Sequence, residues 1–313
     1  MSLARGPERA ALTARAALAS VAVAVFLLAL KAWAAWRTGS VAMLGSLADT
    51  ALDLVASLIV LFAVRVSARP PDREHRYGHG KAEALAALFQ VAIISVSAAA
   101  IAWRAAQRLV EGDRTANAEY GIAVSLVAIA ATLGLIAYQR HVIARTGSLA
   151  IRTDRLHYQS DLLLNLAVIA ALVLDQYLGL AGADPLFGLA IAAWLLRSAW
   201  RAATHAIDQL MDKAWPEDRR RRLIEIVARR PDVRGVHDVR TRSSGPVDHA
   251  QFHIGVDPAM RVARAHDLIE AIEADLAAEF PGVDVIVHVD PEGQVDEPGN
   301  PLAETDESKG LKP

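Results

Sequence analysis

The sequence has 313 residues, 53% of them hydrophobic, a formal net charge of -2 and no cysteine. So apolar a chain is not an ordinary soluble domain, and its apolar excess lies before about residue 210, which implies a membrane domain followed by a small globular one. The lack of cysteine excludes disulfides and thiolate metal sites, and no basic stripe with interleaved aromatics supports nucleic-acid binding.

After a cytoplasmic N-terminal segment, 1–13, apolar stretches run at roughly 14–36, 41–66, 84–107, 119–139, 149–174 and 185–207. Each has about the 20 residues a helix needs to cross a bilayer. They predict six transmembrane helices within 14–208, the first a retained span and not a cleaved leader. Six spans put both termini on one side. That side carries Arg5, Arg9 and Arg15, then Arg65, Arg69, Arg73, Arg76 and Lys81, then Arg140, Arg145, Arg152 and Arg155. The opposite connections hold only Arg37, Arg108 and Arg114, so the positive-inside rule places both termini in the cytoplasm.

The second span contains Gly45-Ser-Leu-Ala-Asp49-Thr-Ala-Leu-Asp53, two carboxylates in a stretch otherwise built for lipid. A carboxylate at the bilayer centre costs roughly 3 kcal/mol, so two on one helix imply a partner, a cavity or a bound cation. Spacing of four residues puts both on one helix face, about 6 Å apart along the axis. The spacing recurs as His157-Tyr-Gln-Ser-Asp161 in the fifth span, which is marked from Leu156 onward because Arg152, Asp154 and Arg155 crowd its start. Asp49, Asp53, His157 and Asp161 together offer the four donors of a tetrahedral transition-metal site. A salt bridge to Lys31 or a metal-free proton relay are the other readings. One lysine cannot neutralise three carboxylates, whereas a divalent ion relieves their repulsion. Ser46, Ser160 and Asn165 are expected to orient the ligands by hydrogen bonds.

Between the second and third spans, Asp72, His75 and His79 lie in a short loop with Gly78 and Gly80. They form either a surface site for a divalent ion or a solvated charged loop.

Beyond the sixth span, Pro216-Glu-Asp starts a helix that ends before Pro231. Strand-like runs at Val233–Arg242 and Ala250–Val256 read as a hairpin, then come a helix at Val262–Glu279 and a strand at Val283–Val289. This α-β-β-α-β order predicts an α+β domain over 209–291, helices on one face of a three-stranded sheet. His237, His253, His266, His288 and Asp290 are its potential ligands, with His288 and Asp290 on one face by strand alternation. A scatter of structural histidines is the other reading. His205 and His249 fit no grouping and are expected at the surface or an interface. Residues 292–313 are polar and predicted to be disordered.

Four separated motifs carry a resemblance. Ser46-Leu-Ala-Asp49-Thr-Ala-Leu-Asp53, Tyr77-Gly-His79-Gly-Lys81-Ala-Glu83, His157-x-x-x-Asp161 and the α-β-β-α-β domain, in that order, resemble the cation diffusion facilitator family. Within it the chain looks most like the bacterial ferrous-iron and zinc efflux pumps, from about Ala11 to Pro291. The resemblance implies a homodimeric, proton-coupled exporter in the bacterial inner membrane, with six transmembrane helices and a cytoplasmic metallochaperone-like domain. It implies that Asp49, Asp53, His157 and Asp161 form the transport site, and Asp72, His75 and His79 a loop site. His237, His253, His266, His288 and Asp290 would form a dinuclear site at the dimer interface, and Lys81 and Asp212 an ion pair between protomers. Val289, where relatives can carry a polar residue, is a departure. The absence of a histidine-rich insertion between the fourth and fifth spans argues against the eukaryotic vesicular zinc carriers.

The function expected is antiport of Zn2+ or Fe2+, also Cd2+ and Co2+, out of the cytoplasm against protons, with Zn2+ also a structural ion of the cytoplasmic domain. No enzyme is expected, because no span contains His-Glu-x-x-His. The alternative is a membrane-anchored divalent-metal sensor that binds without transport.

Overall fold

The computed structural model describes residues 6–38, 41–111, 119–178, 183–293 and 306–308. They divide into two compact units, Met1–Ile207 and Asp208–Pro313.

The first unit is built from long helices: α1 (Gly6–Thr38), α2 (Val41–Ser67), α3 (Ala82–Glu111), α4 (Glu119–Thr146), α5 (Leu149–Leu178) and α6 (Ala183–Leu210). Among the described residues four segments are long and apolar enough to cross a membrane, namely Gly6–Arg37, Asp49–Ser67, Ala82–Gln107 and Leu126–Thr146. The expected fifth and sixth spans fold as long helices but do not join this group. Alanine dominates where helices meet: Ala16 and Ala17 of α1 pack with Val60 and Val64 of α2, Val142 of α4 and Ile151 of α5. Small residues let helix backbones approach closely where lipid supplies no hydrophobic drive. Large apolar side chains such as Trp33, Phe62, Trp103 and Trp200 point outward, as a lipid-facing surface requires.

The start of α5 is tied down by polar groups. Gly147 takes a φ of +63° after α4 and its N–H reaches the Ile143 carbonyl at 2.9 Å, a helix stop that favours glycine. The buried Glu83 of α3 accepts hydrogen bonds from Ser148 Oγ (2.6 Å) and the Leu149 N–H (3.1 Å), and pairs with Arg9 of α1 at 3.0 Å. A carboxylate suits a helix N-terminus. It also sets the register of α5, and so where His157 and Asp161 fall.

The second unit contains α7 (Glu217–Ala228), β1 (Gly235–Ser244), β2 (Val247–Val256), α8 (Val262–Glu279) and β3 (Val283–Pro291). The sheet order is β1-β2-β3. β1 and β2 pair antiparallel through a turn at Gly245, whose φ is +61°, whereas β2 and β3 are parallel and α8 makes the crossover. One face of β2, with Ala250, Phe252, Ile254 and Val256, is buried with Leu223 and Val227 of α7 and Ile272 and Leu276 of α8. The other face therefore carries His249, Gln251 and His253. In β1 the inward residues Val236 and Val239 are three apart, which strict alternation cannot accommodate. A bulge between His237 and Arg240 absorbs the extra residue, with Asp238 at a φ of +48°.

The tail predicted to be disordered from Glu292 is ordered where it is described. The Glu292 N–H reaches the Val256 carbonyl at 2.8 Å. Asp306 Oδ1 accepts the Val236 N–H at 3.2 Å, and the Glu307 N–H donates to the Val236 carbonyl at 2.8 Å. The edge of β1 offers unpaired backbone groups, and Asp306–Ser308 satisfies them. Residues 294–305 and 309–313 of the predicted tail lie outside the described residues.

Candidate metal centres

Among the described residues, three groups of potential ligands come together. In the first unit, Asp53 of α2 meets His157 and Asp161 of α5, with one ligand atom from each inside a common 4.8 Å span. His157 Nε2 is 3.0 Å from Asp53 Oδ1 and 3.8 Å from Asp161 Oδ2. His157 is only 4% exposed. The group opens on a cavity of about 330 Å3 that Lys31, Asp49 and Thr50 also line. Asp49, the fourth expected ligand, thus shares the cavity without joining the group. Ser160 Oγ donates to the His157 carbonyl at 2.5 Å and approaches Asp161 Oδ1 at 3.4 Å. Asn165 Nδ2 donates to the Asp161 backbone carbonyl at 2.7 Å and not to its carboxylate, so it braces the helix and not the ligand group. The side chain of Ser46 lies outside the described residues.

In the loop between α2 and α3, Asp72 Oδ1 lies 3.3 Å from His75 Nδ1 and Asp72 Oδ2 lies 3.3 Å from His79 Nε2. The His75 and Glu74 N–H groups donate to Asp72 Oδ1 at 2.7 and 2.9 Å. The bond from His75 holds the Asp72 carboxyl below its usual range, so it remains an acceptor in mildly acidic solution. Of the two loop glycines, Gly78 needs its freedom, at a φ of +78°.

In the second unit a ladder of imidazoles crosses the sheet. His237 of β1 pairs with His253 of β2, which pairs with His288 of β3. Their ring centroids are 5.3 and 4.6 Å apart. Asp290 reaches all three: Oδ2 lies 3.3 Å from His237 Nε2 and 2.9 Å from His253 Nδ1, and Oδ1 lies 3.2 Å from His288 Nε2. Imidazole and carboxylate donors so disposed fit Zn2+ and other divalent first-row ions. His266 stands apart within the protomer, 68% exposed and 3.4 Å from Glu270 on its own helix.

Comparison with known proteins bears on what these groups serve. The family model described as the cation efflux transmembrane domain matches residues 17–211. That of the cation efflux protein cytoplasmic domain matches 215–292. The chain belongs to the cation efflux, or cation diffusion facilitator, family. Among similar proteins, the cation-efflux pump FieF of Cronobacter sakazakii is 45% identical over 280 residues, 90% of this chain and 93% of its own. FieF of Pectobacterium carotovorum subsp. carotovorum is 44% identical over 291 residues, 93% of this chain and 97% of its own. A solved nickel form of a MamM CTD is 32% identical and covers 24% of this chain and 98% of its own, with a TM-score of 0.23.

As a member of this family the chain is a multi-pass membrane transporter for cations and not an enzyme. Its cation efflux domain contains a polar centre that sequence reasoning missed. Asp154, 0% exposed, was assigned to a crowded helix start but sits within α5. Its Oδ2 accepts from Ser20 Oγ of α1 (2.6 Å) and Gln139 Nε2 of α4 (2.8 Å), and its Oδ1 from Gln90 Nε2 of α3 (3.1 Å). Spacings of three and seven residues to His157 and Asp161 put Asp154 on their helix face, which was the available signal. Next to it Tyr158 Oη donates to the Ser20 carbonyl at 3.0 Å and contacts Ser57 Oγ at 2.9 Å.

In the cytoplasmic efflux domain, His249 is a correction. It was expected at the surface or an interface but is 4% exposed, with Nδ1 3.0 Å from Asp284 Oδ2. Asp238, also unforeseen, approaches His253 Nε2 at 3.6 Å. Lys81 lies half-buried just before α3. Asp212, at a φ of +55°, lies 3.5 Å from Arg242 Nη1 in its own protomer.

Proposed function

We propose that the chain exports divalent transition-metal cations from the cytoplasm in exchange for protons, with Zn2+ and Fe2+ as substrates and Cd2+ and Co2+ also accepted. One observation carries the reading: Asp53, His157 and Asp161 converge from two helices on a cavity within the membrane domain. Two carboxylates and an imidazole are a donor set for these ions, and Asp49 supplies the fourth ligand after a small movement of α2 within the shared cavity. Binding requires ionised carboxylates and a neutral imidazole. Loading therefore expels protons and acid on the far side favours release.

Six apolar stretches supply six transmembrane helices, the arginine distribution supports both termini in the cytoplasm, and the likeness to bacterial efflux pumps supports a bacterial inner membrane. The protein works as a homodimer. Asp72, His75 and His79 hold an ion near the entrance, and His237, His253, His288 and Asp290 hold Zn2+ in the cytoplasmic domain, where His266 comes from the partner subunit. Lys81 pairs with Asp212 across the protomers.

Purified protein in vesicles that enclose a metal-sensitive dye tests the reading. Zn2+ should enter in step with an imposed pH gradient, and Asp53→Ala and His157→Ala should abolish entry while the protein stays folded. Normal uptake by either variant would remove the transport site from these residues. Zn2+ binding without uptake would favour the sensor.

A further inference from the structure

We propose that Lys31 is the internal counter-cation of the transport cavity, weakening cation binding there so that a bound ion can leave. The inference rests on the reading of Asp53, His157 and Asp161 as the transport site. Between Arg15 and Arg37, Lys31 is the one charged residue of α1. A lysine in a membrane helix is costly unless its ammonium reaches the interface or a polar partner inside. Here it turns inward. Lys31 Nζ donates to Thr50 Oγ1 at 2.7 Å, and Thr50 is 2% exposed. Thr50 follows Asp49 directly and precedes Asp53 by three residues, and all of them line the cavity with His157 and Asp161. The exposed Arg104 also lines it, close to the end of the apolar segment Ala82–Gln107.

An ammonium has no lone pair and cannot be a ligand. Its effect on a divalent ion in the same cavity is repulsion, which is strong where water is scarce. With the ion gone, the same charge offsets the repulsion among Asp49, Asp53 and Asp161. Lys31 thereby narrows the free-energy gap between loaded and empty states. A ligand and a counter-cation leave opposite signatures: removing a ligand weakens binding, whereas removing the counter-cation tightens it and slows release.

Zn2+ uptake by the full-length protein in vesicles, measured over a range of Zn2+ concentrations at fixed pH, reads this out. Lys31→Gln keeps a donor for Thr50 and removes the charge, and Lys31→Met removes both. Each should lower KM roughly tenfold or more and lower the maximal rate with it. Lys31→Arg keeps the charge and should return KM toward the wild-type value. A structural role would instead leave KM unchanged or raise it in Lys31→Gln, and that result overturns the proposal. Asp53→Ala, run alongside, separates the two levels. If it transports with wild-type KM, the site reading itself fails, whereas if it is inactive and Lys31→Gln has an unchanged or raised KM, only the counter-cation fails.

Discussion

Removing the Asp154 carboxylate should loosen the transmembrane unit more than removing any metal ligand. Asp154 joins four helices through three hydrogen bonds, from Ser20, Gln139 and Gln90. Alanine leaves those donors facing a small void where no water competes. At about 1 kcal/mol for each bond lost, Asp154→Ala costs about 3 kcal/mol. For a unit of roughly 200 residues that lowers Tm by about 6 to 12 °C. Asparagine behaves differently. Its amide oxygen can replace Oδ2 toward Ser20 and Gln139, and its NH2 can face Gln90 Oε1, which is buried without a hydrogen-bond partner, once the Gln90 amide turns over. Asp154→Asn should therefore cost no more than about 1 kcal/mol. Thermal unfolding in detergent, followed by tryptophan fluorescence, gives the ranking directly. A Tm for Asp154→Ala within about 2 °C of wild type, or equal losses in both variants, would refute the reasoning.

Asp49→Ala should impair Zn2+ transport less than Asp53→Ala, because only Asp53 lies in hydrogen-bond contact with His157; equal loss in initial-rate assays would place Asp49 in the site on the same footing. Asp49→His adds a nitrogen donor and should favour Zn2+ over Fe2+, so unchanged relative rates for the two ions would count against its role as a ligand. The isolated segment 216–293 has its own core and should gain about 2.7 kcal/mol from Zn2+ at a hundredfold excess over Kd. That gain should vanish in the double variant His253→Ala, His288→Ala, and its persistence in a melting curve would move the cytoplasmic site elsewhere. Calorimetric titration in buffers of different ionisation enthalpy should reveal protons released on Zn2+ loading. The test uses a variant with His75, His79, His237, His253, His266 and His288 replaced, and an enthalpy independent of buffer there would exclude antiport.

What the sequence determined alone is what depends on neighbours along the chain. Two polar residues four apart in an apolar run share a helix face whatever surrounds them, so Asp49 with Asp53 and His157 with Asp161 were legible as pairs. Alternation in β3 likewise put His288 and Asp290 on one side, and Pro216 and Pro281-Gly282 bracketed the α+β elements closely. Which members meet was a tertiary matter. The rotation and register of α2 against α5, with the start of α5 held by Glu83 and Arg9, brings Asp53 to His157 and leaves Asp49 beside the group. The histidine ladder depends on strand pairings between residues 16 and 35 positions apart and on a bulge at Asp238, neither of which periodicity encodes. Burial of Asp154 and His249 was also out of reach. A charge near a helix start and a histidine just before a strand-like run read as surface residues until partners from distant segments, Ser20, Gln90 and Gln139 for one and Asp284 for the other, supply the hydrogen bonds that make burial tolerable.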